Sequence, residues 1–138
     1  MPNGIDLILA DHRRVEELFT SFADTGEASY VGQIVDALAA HDQAEHAALY
    51  PLAGHVLGDT ELIERAALAH SLVKTIIDRL LALEGAPLLD AVGELSEAVR
   101  LHVQDEEQNL LPALQEACSP AQLDGMGARI EQSKQRVG

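Results

Sequence analysis

At 138 residues, 47% of them hydrophobic, the chain has the size and apolar content of one domain that buries a core without covalent staples. Nine Lys and Arg against 23 Asp and Glu give a formal net charge of −14, a field that repels phosphate backbones and anionic lipid and so argues against nucleic-acid and membrane partners. The single cysteine, Cys118, excludes an internal disulfide and a thiolate cluster for zinc.

The apolar residues are mostly Leu, Ala, Val and Ile, with two Tyr, two Phe and no Trp, a palette suited to helices packed on helices. Met1 to Asp11 has no basic n-region and only a short apolar run, and no stretch approaches the ~18 apolar residues of a membrane span, so a cytoplasmic protein is expected.

In chain order, Asn3 and Gly4 precede a first helix running to about Asp24 and ended by Gly26. Ser29 is placed to cap a second helix that reaches Tyr50, where Pro51 kinks or interrupts it and Gly54 and Gly58 mark its end. Asp59 or Thr60 starts a third helix, which Gly85 closes. Pro87 suits the first turn of a fourth, which reaches Pro112 and frays by Cys118. Ser119-Pro120-Ala121-Gln122 is a capping box opening a short fifth helix towards Arg136. Short linkers make neighbours antiparallel, so the expectation is an all-α, up-down-up-down four-helix bundle over about 4–117, with a C-terminal helix over about 119–136, forming a single domain.

Each long helix carries an apolar stripe at 3–4 spacing, and each stripe is broken by histidine. The stripes read Ile5, Ile8, His12, Val15, Phe19, Phe22; then Val31, Ile34, Leu38, His41, Glu45, Ala48, Leu52; then Ile63, Ala66, His70, Val73, Ile77, Leu80; and finally Leu88, Val92, Leu95, Val99, His102, Glu106, Ala113. Residues four apart share a face about 6 Å along the axis, so two helices add a glutamate directly beneath a histidine. Six polar side chains thus point into one region of an apolar interior. Burying them unpartnered costs several kcal/mol each. A metal pair compensates: neutral imidazole offers a nitrogen lone pair, and each glutamate can bridge two cations. The candidate ligands are His12, His41, Glu45, His70, His102 and Glu106.

An internal repeat supports that set. The segments His41 to Pro51 and His102 to Pro112 both obey H-x-Q-x-E-x-x-x-L-x-P, and each is preceded by a helix bearing one stripe histidine. Each helical hairpin therefore offers two histidines and one glutamate. His46 and His55 lie off the stripe and read as surface residues, and Glu16, four after His12, has Lys74 as its counterpart after His70.

With these motifs the chain resembles the hemerythrin, or HHE cation-binding, family over roughly 5–115. The resemblance implies a bundle around a centre of two iron ions, bridged by oxo or hydroxo and by two carboxylates. Glu45 and Glu106 would be the bridges, with His12, His41, His70 and His102 as terminal ligands. Oxygen-carrying hemerythrins have a second histidine four residues on in the third helix, where this chain has Lys74. Coordination near two histidines per iron would leave both metals open to small ligands. That resembles actinobacterial hemerythrin-like proteins, some of which decompose hydrogen peroxide, and points away from plain oxygen transport.

The expected chemistry is catalase-like reaction with a small oxidant, H2O2, O2 or NO being the candidate ligands. Two rivals stand beside it: a sensor or storage module for O2, NO or iron without turnover, and a mononuclear zinc or nickel hydrolase or thiol transferase. A metal-free interaction bundle is a further reading. Lys74 shares the face of His70 and either hydrogen-bonds a bound ligand or, as expected, snorkels to solvent. Tyr50 lies about 140° around an ideal helix from Glu45, so only distortion near Pro51 turns it inward, and packing is expected instead. Gln43, Gln104, Asp42 and Asp105 are candidates for contacts behind the ligands, solvation being their expected fate.

Overall fold

The computed structural model describes residues 3–58 and 60–137. Asp59, one of the two expected starts of the third helix, lies outside the described residues. Five helices follow in order, with no strand among the described residues. Helix α1 is Gly4–Thr25. Helix α2 comprises Ser29–Ala44, a π-helical turn Glu45–Leu49 and the α-helical segment Tyr50–Leu57. Helix α3 is Glu61–Leu80. Helix α4 repeats the α2 pattern as Gly85–Asp105, a π turn Glu106–Leu110 and Leu111–Ala117, and α5 is Pro120–Val137.

Local chemistry sets most of these ends. The Asn3 side chain accepts from the Ile5 N–H at 2.8 Å, and Gly26 closes α1 at φ 67°, its N–H donating to the Phe22 carbonyl. The predicted capping box forms: the Ser119 N–H donates to the Gln122 side chain at 2.8 Å, and the Gln122 N–H donates to the Ser119 hydroxyl at 3.2 Å.

Three expectations change. Ser29 is the first residue of α2, and its flanking residue Ala28 makes no side-chain cap. Gly54 lies within α2, which ends only at Gly58, φ 67°. Gly85 opens α4 at φ 62°, because α3 has already ended at Leu80 and the chain turns through Ala82 and Leu83.

Pro51 does not break α2, and Pro112 does not break α4. A proline ring clashes with the carbonyl four residues back and has no N–H to offer it. Here the preceding turn is wide: the Tyr50 N–H donates to the Glu45 carbonyl and the Leu111 N–H to that of Glu106, five residues back. Each proline then falls in the first turn of the segment that follows, where a missing N–H costs nothing.

Ion pairs Arg65–Asp105 and Arg79–Glu94 run in opposite order along α3 and α4, as antiparallel neighbours require. Helix α5 packs along α1 and α2. Its Met126 sits against Gly4, where an added Cβ would stand 2.4 Å from Met126 Cε and 2.9 Å from Met126 Cβ. Because Met126 is fully buried, Gly4→Ala should push α5 off α1 and cost about 1–3 kcal/mol. Thermal melts of the two proteins measure this; an unchanged midpoint would mean that α5 is not seated as described.

The core is in two parts. Ile5, Ile8, Leu49, Leu110, Leu114, Met126 and Ile130 belong to one cluster, and Val15, Leu18, Phe22, Ile34, Leu80 and Leu95 to the other. Along every long helix the histidine falls between them: Ile8, His12, Val15 on α1, and Val99, His102, Glu106, Leu110 on α4. A polar layer thus crosses the middle of the bundle. No described helix is long and apolar enough to cross a membrane.

Candidate metal centre

All six sequence-predicted residues meet in that layer. His12, His41, Glu45, His102 and Glu106 are buried, Glu45 completely, and His70 is nearly so. Their inward-facing atoms lie close together. His12 Nε2 stands 3.1 Å from Glu106 Oε1, and His41 Nε2 stands 3.1 Å from Glu45 Oε1. On the other side, His70 Nε2 is 3.0 Å from Glu45 Oε1 and from His102 Nε2, and His102 Nε2 is 3.3 Å from Glu106 Oε2.

These atoms form two sets of four, each mutually within 4.8 Å: His12, His41, Glu45, Glu106, and Glu45, His70, His102, Glu106. Each hairpin supplies the histidine pair of one set, and both glutamates belong to both. Five of the atoms, His12 Nε2, His41 Nε2, Glu45 Oε2 and both Glu106 carboxylate oxygens, are buried without a hydrogen-bond partner. Orphaned buried polar groups cost about 1–3 kcal/mol each, more when charged. Nitrogen and carboxylate donors converging from four helices fit a cation at each set.

The outward ring nitrogens are held as well. His12 Nδ1 meets Glu107 Oε2 at 2.7 Å, His41 Nδ1 meets Asp11 Oδ2 at 3.0 Å, and His70 Nδ1 meets Asp42. A carboxylate on Nδ1 puts the proton there and leaves Nε2 free to ligate. Arg13 in turn pairs with Glu107 at 3.0 Å, and Lys134 of α5 reaches Asp11. Asp11 and Glu107 were not legible as contacts from spacing alone. Of the four side chains considered for this role, Asp42 takes it. Asp105 instead pairs with Arg65 and Asn109 at the surface, and Gln43 and Gln104 are exposed.

Tyr50 departs from expectation. It is buried, and its hydroxyl donates to Glu45 Oε1 at 3.3 Å and lies 2.9 Å from His70 Nε2. The cause is the π turn. An extra residue in the turn reduces the rotation between Glu45 and Tyr50, which brings the ring to the glutamate's side. The repeat counterpart is Leu111, so only one half of the centre has a hydroxyl.

Burial penalises charge here, yet the acids and bases sustain each other. Burial alone would lower His41, but the Glu45 carboxylate beside it and the Asp11 hydrogen bond push it up to about 10. His102 is pushed up to about 9 against the same penalty, by the Glu106 and Glu45 carboxylates beside it. Glu45 would be raised by burial, but His41 holds it well below the usual carboxylate range. Burial, then the Glu45 and Glu106 charges, drive Tyr50 far above the usual phenol value, so it keeps its proton.

A cavity of ≈ 630 Å³ leads to the layer between α2, α3 and α4. Val35, Leu38, Val73, Ile77 and Val99 line it, with His41, His70 and His102 at its base. Val73 and Ile77, expected in the core, are only half-buried because they face this space, and Ile76 is buried instead. Lys74 lines the cavity with its side chain exposed. Glu16 points to solvent, 3.8 Å from Arg13. His55 is exposed, whereas the exposed His46 packs edge-on against Tyr50 and His70.

The family model described as the hemerythrin HHE cation binding domain matches residues 3–114. A protein of Nostoc sp. named a DNA nickase is 29% identical over 138 residues, which is 96% of this chain and 39% of that protein. An uncharacterised hemerythrin-like protein of Schizosaccharomyces pombe is 26% identical over 140 residues, 96% of this chain and 69% of that one. The crystal structure of a hemerythrin HHE cation-binding-domain protein from Mycobacterium kansasii superposes with a TM-score of 0.83 at 21% identity, covering 99% of this chain and 90% of that one.

Proposed function

The chain belongs to the hemerythrin HHE cation-binding family, and we propose that it is a non-haem di-iron protein that decomposes hydrogen peroxide. The observation that carries the metal reading is the pair of four-ligand sets sharing both glutamates. His12 and His41 would hold one iron, His70 and His102 the other, and Glu45 and Glu106 would span the two. When bound, the irons supply the redox equivalents and the exchangeable positions at which a small oxidant reacts.

The chain's own residues do the rest. Glu107, Asp11 and Asp42 fix the imidazoles behind the centre. Tyr50 holds a proton beside Glu45 and His70, where a departing oxygen would need one. The apolar walls of the cavity admit a small neutral molecule such as H2O2. Peroxide is favoured over simple oxygen carriage because α3 presents His70 alone, with Lys74 lining the cavity four residues on, so that each iron would be held by two histidines. The Nostoc relative's name invites a nucleic-acid role, which the net charge of −14 disfavours.

The test is metal analysis of aerobically purified protein, followed by oxygen evolution from added H2O2. Expected are two irons per chain with near-ultraviolet absorption, and O2 released in the balance 2 H2O2 → 2 H2O + O2, lost in His70→Ala. An iron-loaded protein that evolves no oxygen would leave the sensor or storage reading in its place. One zinc per chain and no colour would remove the di-iron centre.

A further inference from the structure

A third group of metal-binding side chains lies outside the paired sets: Asp42, His46 and His70, whose donor atoms are mutually within 4.8 Å. All three line the cavity. Asp42 Oδ1 is 3.2 Å from His46 Nε2 and also meets His70 Nδ1. Exposure falls along the series, the side chains of His46 and Asp42 being 54% and 47% exposed and that of His70 11%. His70 therefore stands as a wall with one ring nitrogen on each side: Nδ1 faces this outer group and Nε2 faces the centre.

The two halves of the molecule differ at this point. In the repeat, His46 aligns with Glu107 and Asp42 with Val103. Glu107 is neutralised by Arg13, and Asp11, behind His41, by Lys134. Asp42 alone among these three carboxylates has only imidazoles as its partners among the described residues. A dication arriving there displaces at most a proton, not a fixed guanidinium or ammonium. His46 is held ready by edge-on contacts with Tyr50 at 5.1 Å and His70 at 5.5 Å. Lys74 and Asp78, one of each sign, share the cavity with Asp42, and His41 and His102 lie at its base, so a dication is drawn in by Asp42 and by the net negative charge of the whole chain.

We propose that Asp42, His46 and His70 form a capture site for a divalent transition-metal ion such as Fe²⁺, from which the ion passes inward at His70 to the paired sets. Two imidazoles and one carboxylate suit such an ion, and exposure lets it shed water stepwise. The proposal rests on the metal-centre reading above. It assigns His46 to loading and gives it no part in the finished centre.

Anaerobic stopped-flow loading of the metal-free protein with Fe²⁺ tests it, comparing wild type, His46→Ala and, as a control on another exposed histidine, His55→Ala. The expected result is that His46→Ala loads about 10-fold more slowly, at the low end of what local charge focusing gives an association rate. Its final iron content and absorption spectrum should match the wild type, and His55→Ala should load normally. Equal rates for His46→Ala and wild type would overturn the capture site while leaving the centre intact. A His46→Ala protein with lower final iron or a changed spectrum would also overturn it, by making His46 part of the centre. A wild type that takes up no iron would overturn the centre and the capture site together.

Discussion

Glu45→Gln should empty both halves of the centre at once, where His12→Ala should weaken one. Glu45 is completely buried, and one of its oxygens stands 3.1 Å from His41, 3.0 Å from His70 and 3.6 Å from His102. It is therefore the acid that faces three of the four histidines, from both hairpins. An amide keeps the shape but removes the charge that offsets two cations, and its NH₂ cannot ligate. Native mass spectrometry and iron analysis should find the Glu45→Gln protein without iron on either side, and His12→Ala retaining about one ion. The metal-free Glu45→Gln chain should also be less stable, because His41 loses the carboxylate that holds it charged. Removing one partner of a buried pair typically costs about 3–5 kcal/mol. A variant that kept both irons would show that the glutamate is not shared.

Metal removal and pH form the second large effect. In the metal-free chain, protons on the imidazoles balance the glutamates. His41 rises from 6.5 to about 10 on folding and His102 from 6.5 to about 9. The folded chain thus holds more protons than the unfolded chain above pH 6.5. The stability this contributes is complete below 6.5 and is lost as pH climbs through 9 and then 10. Glu45 works in the opposite direction: its folded value lies well below 4.5, so its contribution is present above 4.5 and fades as pH falls.

The metal-free protein should therefore be most stable between about pH 4.5 and 6.5, and should lose on the order of a few kcal/mol by pH 10. Iron requires neutral imidazole, so the loaded protein should gain over the metal-free one as pH rises from 6 to 8. Thermal melts across that range, with chelator and with iron, measure both trends. A metal-free midpoint that stays flat from pH 6.5 to 10 would refute the idea that protons stand in for the cations.

The six residues of the layer were legible because each needs only helical spacing: a histidine every stripe, a glutamate one turn on, and the same segment twice. Position along one helix settles which face a residue takes, and four such faces can meet in only one place. The carboxylates behind the histidines were harder, since Glu107 and Asp11 reach their partners across helix boundaries from off-stripe positions. Tyr50 and the end of the α4 stripe were misread for a single reason. A count from Glu106 on an unbroken α-helix puts Ala113 in the core. The π turn adds one residue, so Leu114 is buried and Ala113 half-buried. The signal was present in both copies of the repeat, where a proline follows each glutamate at the same distance within an otherwise continuous helix. A proline there asks for either a break or a wide turn, and the apolar residues continuing beyond it favour the turn.

The wide turns also mean that α2 and α4 are each written in two phases, with the join at the glutamate. Deleting one residue between Glu45 and Tyr50, or between Glu106 and Leu111, would restore an unbroken α-helix and leave everything beyond the join in phase, because five residues through the wide turn rotate the chain about as far as four do in an α-helix. Leu114 and Ala53 would keep the interior they now fill, but Pro112 and Pro51 would stand inside a regular helix, each against the carbonyl four residues back. Chain length is ordinarily forgiving in loops and strict in helices. In this protein it is strict over the five residues after each glutamate, because the proline that follows is seated only by the longer turn.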